Sequence, residues 1–427
     1  MAITVNQRPQ QFQPIYNPYI YVLSSDNSSQ QNFKIAASIY DTSDSGNSVY
    51  ITTLQNPTNT NGYVVFDLSR VVRDYLTHDF ELGVSLTQNC PNSIKRITVF
   101  TQEVFGNPAS STGTIYTYGD ATETDSRYVW NSSLPFEEFA PYNQNNYLLK
   151  YSNYSSNRWL TNADIVNGLK MSQDQNGYAY LLLENLDNTD NSINLIDYVR
   201  IKTYTSSGTL IDTYDVNIDY ITDLSLTTGY MVRIPIGTYN LNQINALDFI
   251  SGSQPVITDS VAYYTIQTMS NFYDDGYPLR VNVVDYCDSP QVFRLHFLNR
   301  LGGFDSINFD RYYTQTTQIE RKNYKRPYGS VTSGTWSYSA SDRNNVNMIN
   351  TAKKQYNIQT NWISETEASW LEELLTSPVV FWEADNSTLY SINILDSAYE
   401  TKYHQKDKVF NLTLTFELTF DYKSQTY

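Results

Sequence analysis

Acid–base, nucleophilic and metal chemistry all draw on a short list of side chains, and this chain has few of them. Its three histidines are His78, His296 and His404, and its two cysteines are Cys90 and Cys287. No two of these lie close in sequence, and HxH and HExxH spacings are absent. The nucleophile elbow GxSxG, the phosphate loop GxxxxGK[ST] and the dinucleotide fingerprint GxGxxG are also absent. His296 falls in the middle of an expected strand and His78 just after a helical turn, so each reads as a structural or surface imidazole. The cysteines read as two unrelated buried thiols, with a single bridge as the alternative. Three acidic pairs occur, Glu137-Glu138, Asp274-Asp275 and Glu372-Glu373. Glycoside hydrolysis needs two carboxylates facing each other across a sugar ring, which adjacent residues do not provide. Asp274-Asp275-Gly276 reads as a turn and Glu372-Glu373 as the solvent face of a helix. Asp41-x-Ser43-x-Ser45-Gly46 opens like a calcium loop, but Thr52 stands where the bidentate Glu is required, so it reads as an Asx turn. The expectation is a non-enzymatic chain with no catalytic residue, no metal and no cofactor.

The charge distribution is more informative. The chain carries 28 Lys and Arg against 44 Asp and Glu, for a net charge of −16. Between residues 291 and 360, however, ten cations face four carboxylates, leaving that segment at +6 and the remainder at −22. Its densest part is Arg321-Lys322-Asn323-Tyr324-Lys325-Arg326-Pro327-Tyr328. Three readings fit: a solvated loop, a surface that docks on the acidic remainder of a neighbouring copy, or a face that meets passing DNA. Arg311, Tyr312, Tyr313, Arg321, Lys322, Tyr324, Lys325, Arg326 and Tyr328 are the candidate interface or channel-facing residues. Opposed charges within one chain favour head-to-tail assembly, which closes into rings. The acidic whole argues against general nucleic-acid binding and against adsorption to anionic membranes.

The elements that must hold these residues read as β throughout. Phe410, Leu412, Leu414, Phe416, Leu418, Phe420 and Tyr422 alternate with polar residues, the period of a half-buried strand. Residues 33–39 and 49–54 flank a polar turn, 63–66 and 97–105 are further strands, and 69–76 is one short helix that Ser69 is placed to cap. This segment, 1–120, reads as a β-sandwich-like domain. Residues 121–160 look loop-rich. The middle β-rich domain, 121–285, contains a hairpin, 199–204 with 210–218. The third region, 286–427, is β-rich with an α+β end. There Ser364-Glu365-Thr366-Glu367 forms a capping box, Trp370, Leu371, Leu374 and Leu375 make the apolar stripe, and Ser377-Pro378 ends the helix, 364–377. The fold class expected is mainly β, with two or three sandwich-like domains and one short amphipathic helix.

Composition agrees. Hydrophobic residues make up 40 % and charged residues only 17 %, so Asn, Thr, Ser, Gln and the 38 tyrosines must cover much of the surface. Tyrosine suits pleated surfaces and interfaces, because its ring is apolar and its hydroxyl tolerates water. The first residues have neither the charged nor the apolar region of a secretory signal, and no apolar run approaches a membrane span. Synthesis in a cytoplasm without membrane insertion is expected.

Three segments resemble known proteins. Gln10-Gln11-Phe12-Gln13-Pro14-Ile15-Tyr16-Asn17-Pro18-Tyr19-Ile20-Tyr21-Val22-Leu23-Ser24-Ser25-Asp26-Asn27, followed by Asn32-Phe33-Lys34, is similar to the start of virion structural proteins of Bacteroidetes-infecting, crAss-like tailed phages. Phe293-Arg294-Leu295-His296-Phe297-Leu298-Asn299-Arg300-Leu301-Gly302-Gly303-Phe304-Asp305, paired with Trp370-Leu371-Glu372-Glu373-Leu374-Leu375-Thr376-Ser377-Pro378, resembles the same proteins, as does the 410–422 stretch. The likeness covers both ends and leaves the middle unmatched. It implies a neck, ring, hub or tail-barrel protein of a short tail, in a ring of about twelve copies. Other neck or tail proteins and the portal would be its neighbours, and genomic DNA would be passing cargo. No catalytic residue carries over. The alternative is a tail-tip module that grips glycans through exposed aromatic rings.

Overall fold

The computed structural model describes residues 3–44, 47–83, 87–107, 115–118, 122–150, 158–184, 196–217, 230–270, 276–285, 291–396 and 409–423. Cys287, His404 and the Asp274-Asp275 pair lie outside them. The chain is mainly β, as its composition and alternation lead one to expect, and it divides into two compact units. One comprises Met1–Asp285 with Leu298–Ser306, the other Tyr286–Phe297 with Ile307–Tyr427.

The first unit contains two sheet-on-sheet packings. In the first, a sheet ordered Ile3–Gln7, Ile20–Ser25, Tyr63–Asp67 faces a sheet ordered Phe12–Pro14, Thr122–Trp130, Ile94–Asn107, Lys34–Asp44, Asn47–Pro57. Alternate residues of both, such as Tyr21, Leu23, Val64 and Phe66 against Ile35, Ile39, Ile97 and Val99, interdigitate to form one core. Thr122–Trp130 lies in the stretch expected to be loops. Its first residues are polar, so the pattern is silent, but it pairs antiparallel with Ile94–Asn107 and parallel with Phe12–Pro14, and ends in buried Tyr128, Val129 and Trp130. The short helix Ser69–Val72 has Leu68 at its N-cap. Ser69 does not cap it: Asp67 accepts the Ser69 amide (3.0 Å), because the aspartate sits just before the helix with its carboxylate over the open amides.

In the second packing, a sheet ordered Leu148–Lys150, Tyr178–Glu184, Tyr230–Pro235, Gln88–Asn89 covers a sheet ordered Leu169–Met171, Leu279–Val283, Tyr263–Met269, Tyr198–Tyr204, Leu210–Asn217, Phe249–Ser251. Leu181, Leu183, Val232 and Ile234 meet Val199, Ile201, Tyr264 and Val281 in its core. The expected hairpin is present, with Tyr198–Tyr204 and Leu210–Asn217 antiparallel. Gln88–Asn89 comes from the N-terminal segment, so the two sandwiches are tied by a shared strand. Arg233 locks that tie: 1 % exposed, it reaches the Glu81 carbonyl (3.1 Å) and Gln88, with its guanidinium 4.6 Å over the Tyr178 ring. The returning segment Leu298–Ser306 completes this unit. Trp130 Nε1 donates to the Leu301 carbonyl (3.0 Å), Asn299 Nδ2 to the Leu160 carbonyl (2.8 Å), and Phe304 stacks on Phe80 at 4.4 Å.

The second unit is built on a sheet in which the strand through residues 293–297 is followed in order by Val380–Asp385, Thr388–Ile394, Thr413–Leu418, Asn345–Gln359 and Tyr312–Lys325. Rings of Phe293, Tyr356, Trp382 and Phe416 pack within 5.1 to 6.2 Å to form its core. The capping box forms as expected: Ser364 Oγ accepts the Glu367 amide (3.2 Å) and Glu367 accepts the Ser364 amide (2.8 Å). The helix then breaks at Leu371 into Glu365–Trp370 and Glu372–Thr376, and Trp370 seats 5.6 Å from Phe297. Glu372 is exposed but Glu373 is buried, contrary to the pair's expected place on the solvent face, because the break rotates the second piece. The 410–422 stretch is not one strand. Val409–Phe410 pairs with Ile363–Ser364, Thr413–Leu418 joins the main sheet, and Tyr422–Lys423 pairs further out on Asn345–Gln359. Alternation marks which residues face inward, but not where a strand changes partner. Past the sheet, Phe420 is 82 % exposed.

Candidate interaction surface

Tyr312–Lys325 and Asn345–Gln359 pair antiparallel over their whole length. The neighbouring strands support only the base: Thr413–Leu418 runs beside 355–359, and Tyr422–Lys423 beside 351–352. Beyond that, among the described residues, the two strands pair only with each other. A short hairpin tops them, Ser330–Thr332 with Thr335–Ser337, turning through Ser333 and Gly334, both at positive φ as a two-residue turn of this hand requires. The whole is an arm of residues 312–359, with strands roughly 45 Å long at about 3.3 Å per residue. Residues 314–325 and 327–345 are all exposed. Thr, Gln, Tyr and Ile dominate the first strand, all compatible with a pleated ladder, and the antiparallel partner Asn345–Gln359 supplies that ladder.

The arm brings together most, but not all, of the residues singled out in the sequence. Arg321, Lys322 and Lys325 are in a strand, not a loop. Arg321 and Lys322 point to opposite faces, opposite Asn350 and Ile349, and the bulge between Lys322 and Asn323 twists the remainder of the strand. The cations therefore line both faces. Arg326 is half-buried and donates Nε to the Arg343 carbonyl (3.2 Å). Tyr324 is exposed, and Tyr312 is exposed at the base. Arg311 lies 5.0 Å over the ring of exposed Trp362. Tyr313 departs from the expectation: its ring turns inward, 5.1 Å from Phe293, because it shares a face with buried Ile358.

At the tip, Tyr328 meets Trp336 at 5.3 Å and Tyr338 at 5.7 Å, and Trp336 meets Tyr338 at 5.2 Å. The three rings are 39 %, 50 % and 67 % exposed, and Val331 beside them is 66 % exposed. Gly329 makes this possible, since at φ +82° a Cβ would lie 2.5 Å from the Ser337 carbonyl oxygen and 3.0 Å from the Trp336 ring. The sequence points to Tyr328 but not to Trp336 or Tyr338. The available signal was Ser333-Gly334, a two-residue turn that places Trp336 across from Val331.

Among the described residues, both histidines and Cys90 are buried or half-buried. His296 is fully buried and lies 2.6 Å from a Glu383 carboxylate oxygen that is also 3.4 Å from Arg294. Burial holds the His296 imidazole below its usual range, against the pull of Glu383. Burial likewise lowers His78, which leans on Phe304 at 5.5 Å, and pushes the Cys90 thiol up to about 12. A shallow groove of about 550 Å³ runs along Gln10, Arg127, Tyr142 and Gln144, but Arg127 is committed to Asp125 and to Gln11 (2.8 Å). Among the described residues no helix is long and apolar enough to cross a membrane. No family model matches this chain, and no curated protein matches it.

Proposed function

We propose that this chain is a non-enzymatic structural protein of a virion, forming a ring, hub or barrel layer in the short tail or neck of a crAss-like tailed phage. It would connect portal-side and distal tail proteins around the channel through which DNA leaves, as a ring of about twelve copies closed by head-to-tail contacts. The arm carries this reading. A two-stranded ribbon holding exposed Tyr, Trp, Val and Ile and a surplus of cations adds little to a lone molecule's stability, but it is the kind of surface that assemblies bury. The resemblance of the chain's two ends to virion proteins supports the same reading. Quantitative mass spectrometry of purified virus-sized particles tests it, with this chain counted against the portal protein. A ratio near one or a small simple multiple is expected; absence from particles removes the reading.

One observation favours a second reading. Three exposed rings at the end of a projecting hairpin could stack on sugar faces, as a tail-tip glycan receptor would. A glycan-array signal abolished by Trp336→Ala would support it over the first.

A further inference from the structure

The arm's charge and its tip point to what covers it. Between residues 312 and 359 seven Lys and Arg stand against two carboxylates, Glu320 and Asp342, so the arm carries +5. The first unit holds fifteen cations against twenty-nine carboxylates, or −14. Along the tip the charges disappear, with no Lys, Arg, Asp or Glu from 327 to 341. The three rings and Val331 occupy that neutral stretch, and three cations, Lys325, Arg326 and Arg343, with one carboxylate, Asp342, come directly behind it. An aromatic centre that can be fully desolvated, ringed by charges that stay at the margin, is the anatomy of a protein–protein anchor. A face for single-stranded nucleic acid would ask for the reverse, cations beside the rings to meet each phosphate. The tip is also held in shape before any partner arrives, by the Ser333-Gly334 turn, by Gly329 under Trp336, and by the Arg326–Arg343 hydrogen bond, which lowers the entropy lost on docking.

We propose that the tip seats in the acidic first unit of a second copy of this chain, with Tyr328, Trp336 and Tyr338 as the buried anchor and Lys325, Arg326 and Arg343 as its charged rim. This rests on the reading of the chain as an assembly protein and adds which surface meets which. The contact is heterologous, so each copy offers an arm and receives one, and successive copies close a ring if the rotation between them permits.

The test uses the full chain in solution. Native mass spectrometry and sedimentation follow self-association of the wild type and of a Trp336→Ala/Tyr338→Ala variant. The double change is expected to weaken association about thirtyfold or more, the loss typical of central aromatic anchors. At dilution, where both proteins are monomeric, the thermal midpoint should stay put, because both rings are on the surface. Salt above about 0.5 M should weaken the wild type's association by screening the rim. A photo-reactive benzoyl-phenylalanine at position 338 of isotope-labelled chains mixed with unlabelled ones should link to residues within 1–285 of the unlabelled copy. If the wild type assembles but the variant assembles equally well, or the links fall within 286–427, the tip assignment is overturned and the structural reading stands. If the chain is monomeric at every concentration and absent from particles, both fall. Binding of single-stranded DNA by the wild type at about 0.15 M salt, lost in the variant, would overturn the proposal in favour of a nucleic-acid face.

Discussion

His296 and Glu383 show how a histidine that looks chemical in a sequence becomes structural in the fold. One Glu383 carboxylate oxygen sits 3.4 Å from Arg294 and 2.6 Å from His296 Nε2, so the three side chains form one buried cluster. Burial then disfavours the protonated ring, and the folded chain takes up a proton less readily than the unfolded one, whose imidazole titrates near 6.5. Acidification below about pH 6.5 therefore favours the unfolded state, and the stabilisation present at neutral pH falls away as the pH drops toward the folded value. Unfolding midpoints measured from about pH 8 to about pH 5 should decline in the wild type and decline less in a His296→Asn variant; parallel curves would refute this. Removing the carboxylate instead, with Glu383→Ala, should cost about 3 kcal/mol or more, since it strands a buried arginine. None of this was legible in the sequence, because Glu383 lies 87 positions from His296 and only the pairing of Phe293–Leu298 with Val380–Asp385 brings them together.

Elements whose signals are local are legible in the sequence. The Ser364–Glu367 box needs only four residues, and it forms with both of its hydrogen bonds. Ser364→Ala should lower stability by about 1 kcal/mol. Chemical denaturation with Trp370 fluorescence as the probe would report it, and an unchanged midpoint would show the cap to be idle. The 199–218 hairpin was equally legible, since alternation and a Ser-Ser-Gly turn fix it. Elements whose identity depends on partners are not. The 410–422 alternation is real, yet Leu414 and Phe416 are buried while Phe420 and Tyr422 are exposed, because Phe420 lies between strands and Tyr422 pairs further out on Asn345–Gln359. The arm belongs to the second kind. Its first strand, Tyr-Tyr-Thr-Gln-Thr-Thr-Gln-Ile-Glu-Arg-Lys-Asn-Tyr-Lys, has no apolar face to bury, so its basic end was as compatible with a loop as with a strand. What makes it a strand is its antiparallel partner, Asn345–Gln359.

At the scale of the whole molecule, the first unit is not a continuous stretch of chain. Its last piece, Leu298–Ser306, lies beyond the start of the second unit. Gly302 in that piece has φ +91°, and a Cβ there would stand 2.5 Å from the Asn131 carbonyl oxygen. Gly302→Ala should therefore destabilise the first unit by at least about 2 kcal/mol, from the left-handed conformation and the contact together. Hydrogen exchange should locate the loss at Trp130 and Asn131, with the capping-box helix unaffected; protection lost only in the second unit would contradict it. The mainly β class and the acidic balance were readable from composition, whereas this return of the chain was not, since Leu301-Gly302-Gly303 looks like any hairpin turn until Trp130 donates to it. The same return sets an order of events on the ribosome. Residues 1–285 leave the exit tunnel with the indole N–H of Trp130, the face of Phe80 and the carbonyl of Leu160 still waiting for partners that are translated later. A nascent chain halted before residue 306 has emerged thus holds an unfinished first unit, and the second unit begins to appear before the first can close.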